Sequence, residues 1–135
     1  MNGIALHWDG TNWQEIESSE LAVADAVNSI SVINDFDVWV ASNDDIYHWN
    51  GKSWDGSKLF VSVSSPIEKY STVFAISNNN VWAGGLALYH WNGKEWSDMK
   101  YDKNYGDIVD IKMTPDQELW ALTSFGIIID LGNQQ

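Results

Sequence analysis

The sequence predicts an all-β chain made of repeated four-stranded antiparallel sheets. Three observations predict it. A heptamer occurs three times, as His7-Trp8-Asp9-Gly10-Thr11-Asn12-Trp13, His48-Trp49-Asn50-Gly51-Lys52-Ser53-Trp54 and His90-Trp91-Asn92-Gly93-Lys94-Glu95-Trp96. Its histidines are 41 and 42 residues apart, and it holds all three His and six of the nine Trp. The other three Trp form a second series: Asp37-Val38-Trp39-Val40, Asn80-Val81-Trp82-Ala83 and Glu118-Leu119-Trp120-Ala121 each follow a polar turn, and an apolar stretch begins nine positions before each Trp. Finally, helical periodicity is nearly absent, and the segments between turn residues are short and strand-like.

The elements follow in order. Residues 4–17 read as a hairpin equivalent to the third and fourth strands of the repeat. Ser19 to Val27 tolerates one short helical turn, through Leu21, Ala22, Ala24 and Ala26. Residues 27–58 carry a complete unit. Its first strand is the apolar stretch Ile30-Ser31-Val32-Ile33, and the turn Asn34-Asp35-Phe36 uses residues that turns select. The second strand bears Trp39, Asn43-Asp44 turns the chain, and Ile46-Tyr47-His48-Trp49 is the third strand. Asn50-Gly51 then predicts a two-residue type I′ hairpin turn, with positive φ at both central residues, before a fourth strand with Trp54. Residues 69–100 repeat the unit with Trp82, Gly84-Gly85 and Trp96, and residues 106–132 supply its first three strands. Four short antiparallel strands every ~40 to 45 residues describe a β-propeller blade.

The unit "polar turn, Val-Trp, Gly or Asn turn, Leu-Tyr-His-Trp-Asn-Gly-x-x-Trp" resembles the Trp-rich blades of bacterial β-propeller repeat proteins. Its layout is similar to two-component-regulator-type propeller repeats, whose blades run strand, turn, Leu-Trp, Gly turn, Leu-Tyr. The resemblance covers nearly the whole chain and implies a fold, not an activity. The chain lacks the Trp-Asp ending of WD40 repeats and the Ser-x-Asp-x-Gly-x-Thr-Trp box of sialidase-type blades, so neither family's site carries over.

Three blades are too few for a ring, since propellers have ~4 to 8. The C-terminal strands lack what the N-terminal hairpin offers, and the expectation is a clasp between chains. Two protomers would then form a six-bladed homodimeric ring by strand exchange between their ends. The third strand is represented twice, as Ile4 to His7 and as Ile127 to Asp130, so one copy must be displaced or add as a fifth strand.

Composition excludes several functions. With 19 acidic groups against 7 Lys and no Arg, the formal charge is -12. Such a chain is a poor partner for nucleic acid or an anionic membrane, which need basic side chains to displace counterions. Cys is absent, which removes disulfide scaffolds and thiolate chemistry. No stretch reaches the ~18 apolar residues of a membrane span. Without a charged-then-apolar leader the expected compartment is the cytoplasm, with a virion or non-classical secretion as open alternatives.

No Gly-x-Ser-x-Gly, His-Glu-x-x-His or phosphate-binding Gly loop is present, so no enzyme, no catalytic residue and no cofactor are expected. The three His recur in separate blades, which spreads them around a ring; tying a strand to a neighbouring turn is their expected role, not zinc. The turns Asn34 to Asp37 and Asn43-Asp44-Asp45 lack EF-hand spacing, so no metal is expected, although calcium through backbone carbonyls stays open. The expected function is non-enzymatic recognition by an oligomeric propeller, with lectin-like glycan binding as the leading reading and a protein-interaction scaffold or inhibitor, of phage or other origin, as the alternative. Trp13, Trp54 and Trp96, on outer fourth strands, could stack on a glycan in a lectin-like manner. The face formed by second-to-third turns and blade connections carries Asp44, Asp45, Glu68, Tyr70, Tyr101, Tyr105 and Phe125. Variable loops on a repeated scaffold are where function gathers. An acidic, aromatic face suits a glycan, and equally a basic protein surface docked by a scaffold or inhibitor.

Overall fold

The computed structural model describes residues 4–16, 24, 26–56 and 69–135. Most of the Ser19–Val27 stretch, Glu68 and most of the connections Ser18–Ala26 and Leu59–Ser71 lie outside those residues. All regular elements described are strands, apart from one 3-10 turn at Lys103–Tyr105.

β1 (Ala5–Trp8) and β2 (Trp13–Ile16) form a two-stranded hairpin. β3 (Ser29–Asn34), β4 (Asp37–Ala41), β5 (Ile46–Trp49) and β6 (Trp54–Gly56) form a four-stranded antiparallel sheet. β7 (Tyr70–Ser77), β8 (Asn80–Gly85), β9 (Leu88–Trp91) and β10 (Trp96–Asp98) form a second. β11 (Ile108–Met113), β12 (Glu118–Thr123) and β13 (Ile128–Asn133) make a three-stranded sheet. Each sheet is a meander, with neighbours in sequence also neighbours in space. The chain is therefore all-β and propeller-like, as the repeat predicts. The hairpin and the three-stranded sheet do not pair with one another within the chain.

Register decides which residues meet. Trp39 lies opposite His48, and His48 opposite Asp55, so these share one face of the first sheet. Val38 lies opposite Trp49, and Trp49 opposite Trp54, on the other face. The second sheet copies this: Trp82 pairs with His90, and Trp91 with Trp96. Each of the two four-stranded sheets thus shows a Trp/His face to the sheet that follows and a Trp/Trp face to the strands before it.

The three hydrophobic clusters are these sheet-to-sheet wedges. Trp39, Ala41 and Ile46 pack on Val73, Val81, Ala83 and Tyr89, with Trp91 and Trp96 beside them. Trp82 and Leu88 pack on Ile108, Ile111, Leu119 and Ala121. Ala5 of the hairpin reaches the cluster of Val40, Tyr47 and Trp54. Inner strands are also tied by polar bonds: the Ser29 and Ser31 hydroxyls accept from the backbone N–H of Val73 and Ala75 at 3.2 and 2.9 Å. Gly84 permits the second and third sheets to close up, since a Cβ there would stand 2.3 Å from Ile108 Cγ2.

One local expectation is corrected. The Asp-Gly and Asn-Gly hairpins are four-residue loops, because Trp8 pairs with Trp13, Trp49 with Trp54, and Trp91 with Trp96. Only the glycines take positive φ: Gly10 at 99°, Gly51 at 90° and Gly93 at 92°. The preceding side chain is the reason. Asp9 Oδ1 accepts from the N–H groups of Thr11 and Asn12 at 2.8 Å each. Asn50 and Asn92 accept from the equivalent pairs. This Asx arrangement holds the loop and leaves one left-handed position where a type I′ turn requires two.

Candidate functional site

Two rims of the sheet array differ in character. On one, the first-to-second turns lie against the heptamer loops: Phe36 packs at the position a Gly51 Cβ would approach, and Asn79 does the same at Gly93. On the other, the second-to-third turns meet the sheet connections. Tyr70 N–H donates to Ser42 carbonyl, and Ser124 N–H donates to Asp107 carbonyl at 2.8 Å. The second rim holds the acidic and aromatic candidates, in two groups.

The first group surrounds Ser42, which is fully buried. Its hydroxyl donates to the Asp44 carboxylate and accepts from the Asp45 N–H. Asp44 also accepts from the Tyr47 hydroxyl at 3.1 Å. Asp45 is buried and caps the start of β5 by accepting from Ile46 N–H at 2.8 Å. Tyr70 is buried in the wedge, while its carbonyl accepts from Asn28 Nδ2. In this chain Asp44, Asp45 and Tyr70 thus build the turn and join it to the next connection.

The second group surrounds Gly106. Asp102 caps the 3-10 turn by accepting from Asn104 N–H at 2.9 Å, which sets Tyr105 at its end, half exposed. The Tyr101 hydroxyl donates to Gly106 carbonyl at 2.8 Å. Burial, with Asp107 and Asp98 nearby, holds the Tyr101 phenol above its ordinary range, so it stays a donor. Phe125 lies against Gly106, on a turn locked by reciprocal bonds between Ser124 and Asp107, and is 71 % exposed. The structure therefore places the Tyr101 hydroxyl and the Phe125 ring at Gly106, the residue after Tyr105. Asp102, Asn104 and Asp107 are exposed beside them. The nearby cations are engaged locally: Lys103 sits 4.7 Å from the Tyr101 ring centre and donates to Leu86 carbonyl, and Lys100 pairs with Asp98.

The three outer-strand Trp are not brought together. Trp54 is only 8 % exposed, enclosed by Val40 and Tyr47 and tilted against Trp49 at 5.7 Å. Trp96 is half-buried between Trp91 and Trp39. Both expose little ring face to a ligand, because their side chains point into the wedge between sheets and not along the rim. Their Nε1 groups are buried and have no hydrogen-bond partner among the described residues. Trp13, paired with Trp8 at 5.4 Å, is 67 % exposed because no sheet among the described residues covers that side of the hairpin.

His48 and His90 each anchor a third strand to the start of the second. His48 Nε2 meets Asp37 Oδ1 at 2.7 Å, and Trp39 Nε1 donates to the same oxygen at 2.9 Å. Asn80 Oδ1 plays the same part for His90 and Trp82. An amide oxygen only accepts, so His90 carries its proton on Nε2. Among the described residues no three ligand-type side chains converge as a metal site, and no helix is long and apolar enough to cross a membrane.

A further feature was not among the candidates. A cleft of about 500 Å³ opens between the hairpin and the first sheet, lined by Ile4, Leu6, Val27, Ile30 and Val32. The Ile30/Val32 and Ser29/Ser31 alternation shows that β3 has one apolar face. Sequence alone could not show that, among the described residues, this face stands open.

No family model matches the chain, and no curated protein matches it. Solved structures do. The YCF48 structure bound to D1 peptide is similar with a TM-score of 0.66 at 18% identity, over 99% of this chain and 46% of that one. The streptogramin B lyase structure is similar with a TM-score of 0.56 at 13% identity, over 83% of this chain and 42% of that one. The chain thus spans less than half the length of either. At these identities the likeness concerns the fold, which is of β-propeller type.

Proposed function

We propose that this chain is a non-enzymatic recognition scaffold that docks the rim around Gly106 on a basic peptide or protein surface. The observation that carries this reading is the Tyr101–Tyr105–Phe125 group, with Phe125 and Tyr105 presented on braced turns amid Asp102 and Asp107. Exposed aromatics held rigid lose little entropy on binding, and carboxylates around them steer a cationic partner. A formal charge of -12 favours the same class of partner. The YCF48 structure carries a bound peptide, which supplies a precedent for the fold and no more. The heptamer's resemblance to Trp-rich bacterial repeats belongs to this same proposal.

A glycan is the second reading, and Trp13 favours it as an exposed indole. Titration against a panel of Lys- and Arg-rich peptides, alongside a glycan array, separates the two. Peptide binding should weaken about 10-fold or more from low to high salt, and Phe125→Ala with Tyr105→Ala should abolish it while the far-UV spectrum is retained. Salt-insensitive glycan binding lost in Trp13→Ala would replace the leading reading with the second.

A further inference from the structure

The two ends of the sheet array are chemically complementary. In the junction between the first and second sheets, Trp39 packs against Trp91 and Trp96, at 6.4 and 6.2 Å between ring centres. The next junction lacks that pair. Trp82 takes the place of Trp39, but Gly132 lies opposite Leu119, where Trp49 lies opposite Val38 in the first sheet. The Gln134 side chain reaches the Trp82 indole there instead, at 3.3 Å. The missing pair exists elsewhere in the chain: Trp8 and Trp13, with Leu6, form the equivalent face of the hairpin and stand exposed.

The same holds on the opposite faces. The outer side of the three-stranded sheet carries Trp120 opposite Asp130 and Leu122 opposite Ile128, all exposed. At the other end the cleft leaves Ile30 and Val32 of β3 uncovered, 65 % and 60 % exposed. In the internal junctions that place is filled by the inner strands of an adjoining sheet. Contiguous apolar surface of this kind marks an association site.

We propose that a second copy of this chain fills both gaps. β11 and β12 of one copy enter the cleft of the other, so that Trp120 and Leu122 cover Ile30 and Val32. The hairpin of the second copy lies on the outer part of the same sheet and brings Trp8 and Trp13 to Trp82. The contact joins unlike ends, and by two-fold symmetry it is made twice. The ring then holds six sheets, within the ~4 to 8 of closed propellers.

The test is the mass of the full chain by light scattering across a dilution series, with no ligand present, so it is independent of the peptide-binding reading. The expected mass is twice 15.2 kDa. Trp13→Asp alters only the hairpin end, and Leu122→Lys only the sheet end. Both side chains are exposed in the single chain, so each variant should keep its far-UV spectrum and scatter as one chain. Mixing the two variants restores one intact junction and should return a two-chain species, weaker than the wild type. A one-chain mass for the wild type at every concentration would overturn the proposal. So would a mass above two chains, a dimer that survives both variants, or a mixture that stays at one chain.

Discussion

The junction between the first two sheets and the two ends of the array use the same side chains to opposite result. Trp39 is 4 % exposed because the second sheet lies on it, whereas Trp120, its counterpart in β12, stands 39 % exposed. Trp54 is enclosed and Trp13 is open, although each begins a fourth strand after the same loop. Burial here is a property of the neighbour and not of the strand. The indole is apolar enough to be the centre of a wedge and, unwedged, to be a strong surface for association.

Several measurements would sharpen or break that comparison. The largest effect is expected at Trp39→Ala, where removing the ring leaves a void between two sheets. It should lower the unfolding free energy by about 3–5 kcal/mol in urea titration, whereas Trp120→Ala, read where the chain scatters as a monomer, should stay within about 0.5 kcal/mol. Equal losses at the two positions would mean that the ends are covered in the single chain.

Gly84→Ala comes next. Its Cβ would collide with Ile108, and the second and third sheets must part, at a cost of about 1–3 kcal/mol. Asp37→Ala should cost a similar or smaller amount, about 1–2 kcal/mol, because it strands Trp39 Nε1 and His48 Nε2. Asp37→Asn should recover most of that loss, since Asn80 performs the same task in the second sheet.

The smallest effect concerns pH. Burial holds His90 below its ordinary value of 6.5, so the folded chain resists protonation more than the unfolded one. Its contribution is complete above pH 6.5 and is lost as the pH falls from there through the lower folded value. Thermal unfolding should show a slight extra decline across that window that His90→Gln removes. An unchanged decline would place its origin elsewhere.

The repeat made the sheets legible. Trp39, Trp82 and Trp120 fell on second strands and His48 and His90 on third strands, because alternation and turn residues are local signals. The hairpin loops were placed correctly and their conformation was not. The Asx bonds of Asp9, Asn50 and Asn92 compete with the type I′ geometry, and a dipeptide motif does not weigh that competition. Of the rim candidates, Tyr101, Tyr105 and Phe125 lie around Gly106, whereas Asp44, Asp45 and Tyr70 are engaged in building a turn. Their chemistry was visible in the sequence, but their partners Ser42, Tyr47 and Asn28 were not.

The sequence by itself determined the period, the strand order within each unit and the side chains available for each wedge, because those depend on spacing along the chain. Only the tertiary structure decided which indoles are enclosed, which carboxylates are engaged, and where a cleft stands open. Those outcomes depend on which surfaces of distant strands come within a few ångströms of one another, and no local pattern carries that distance.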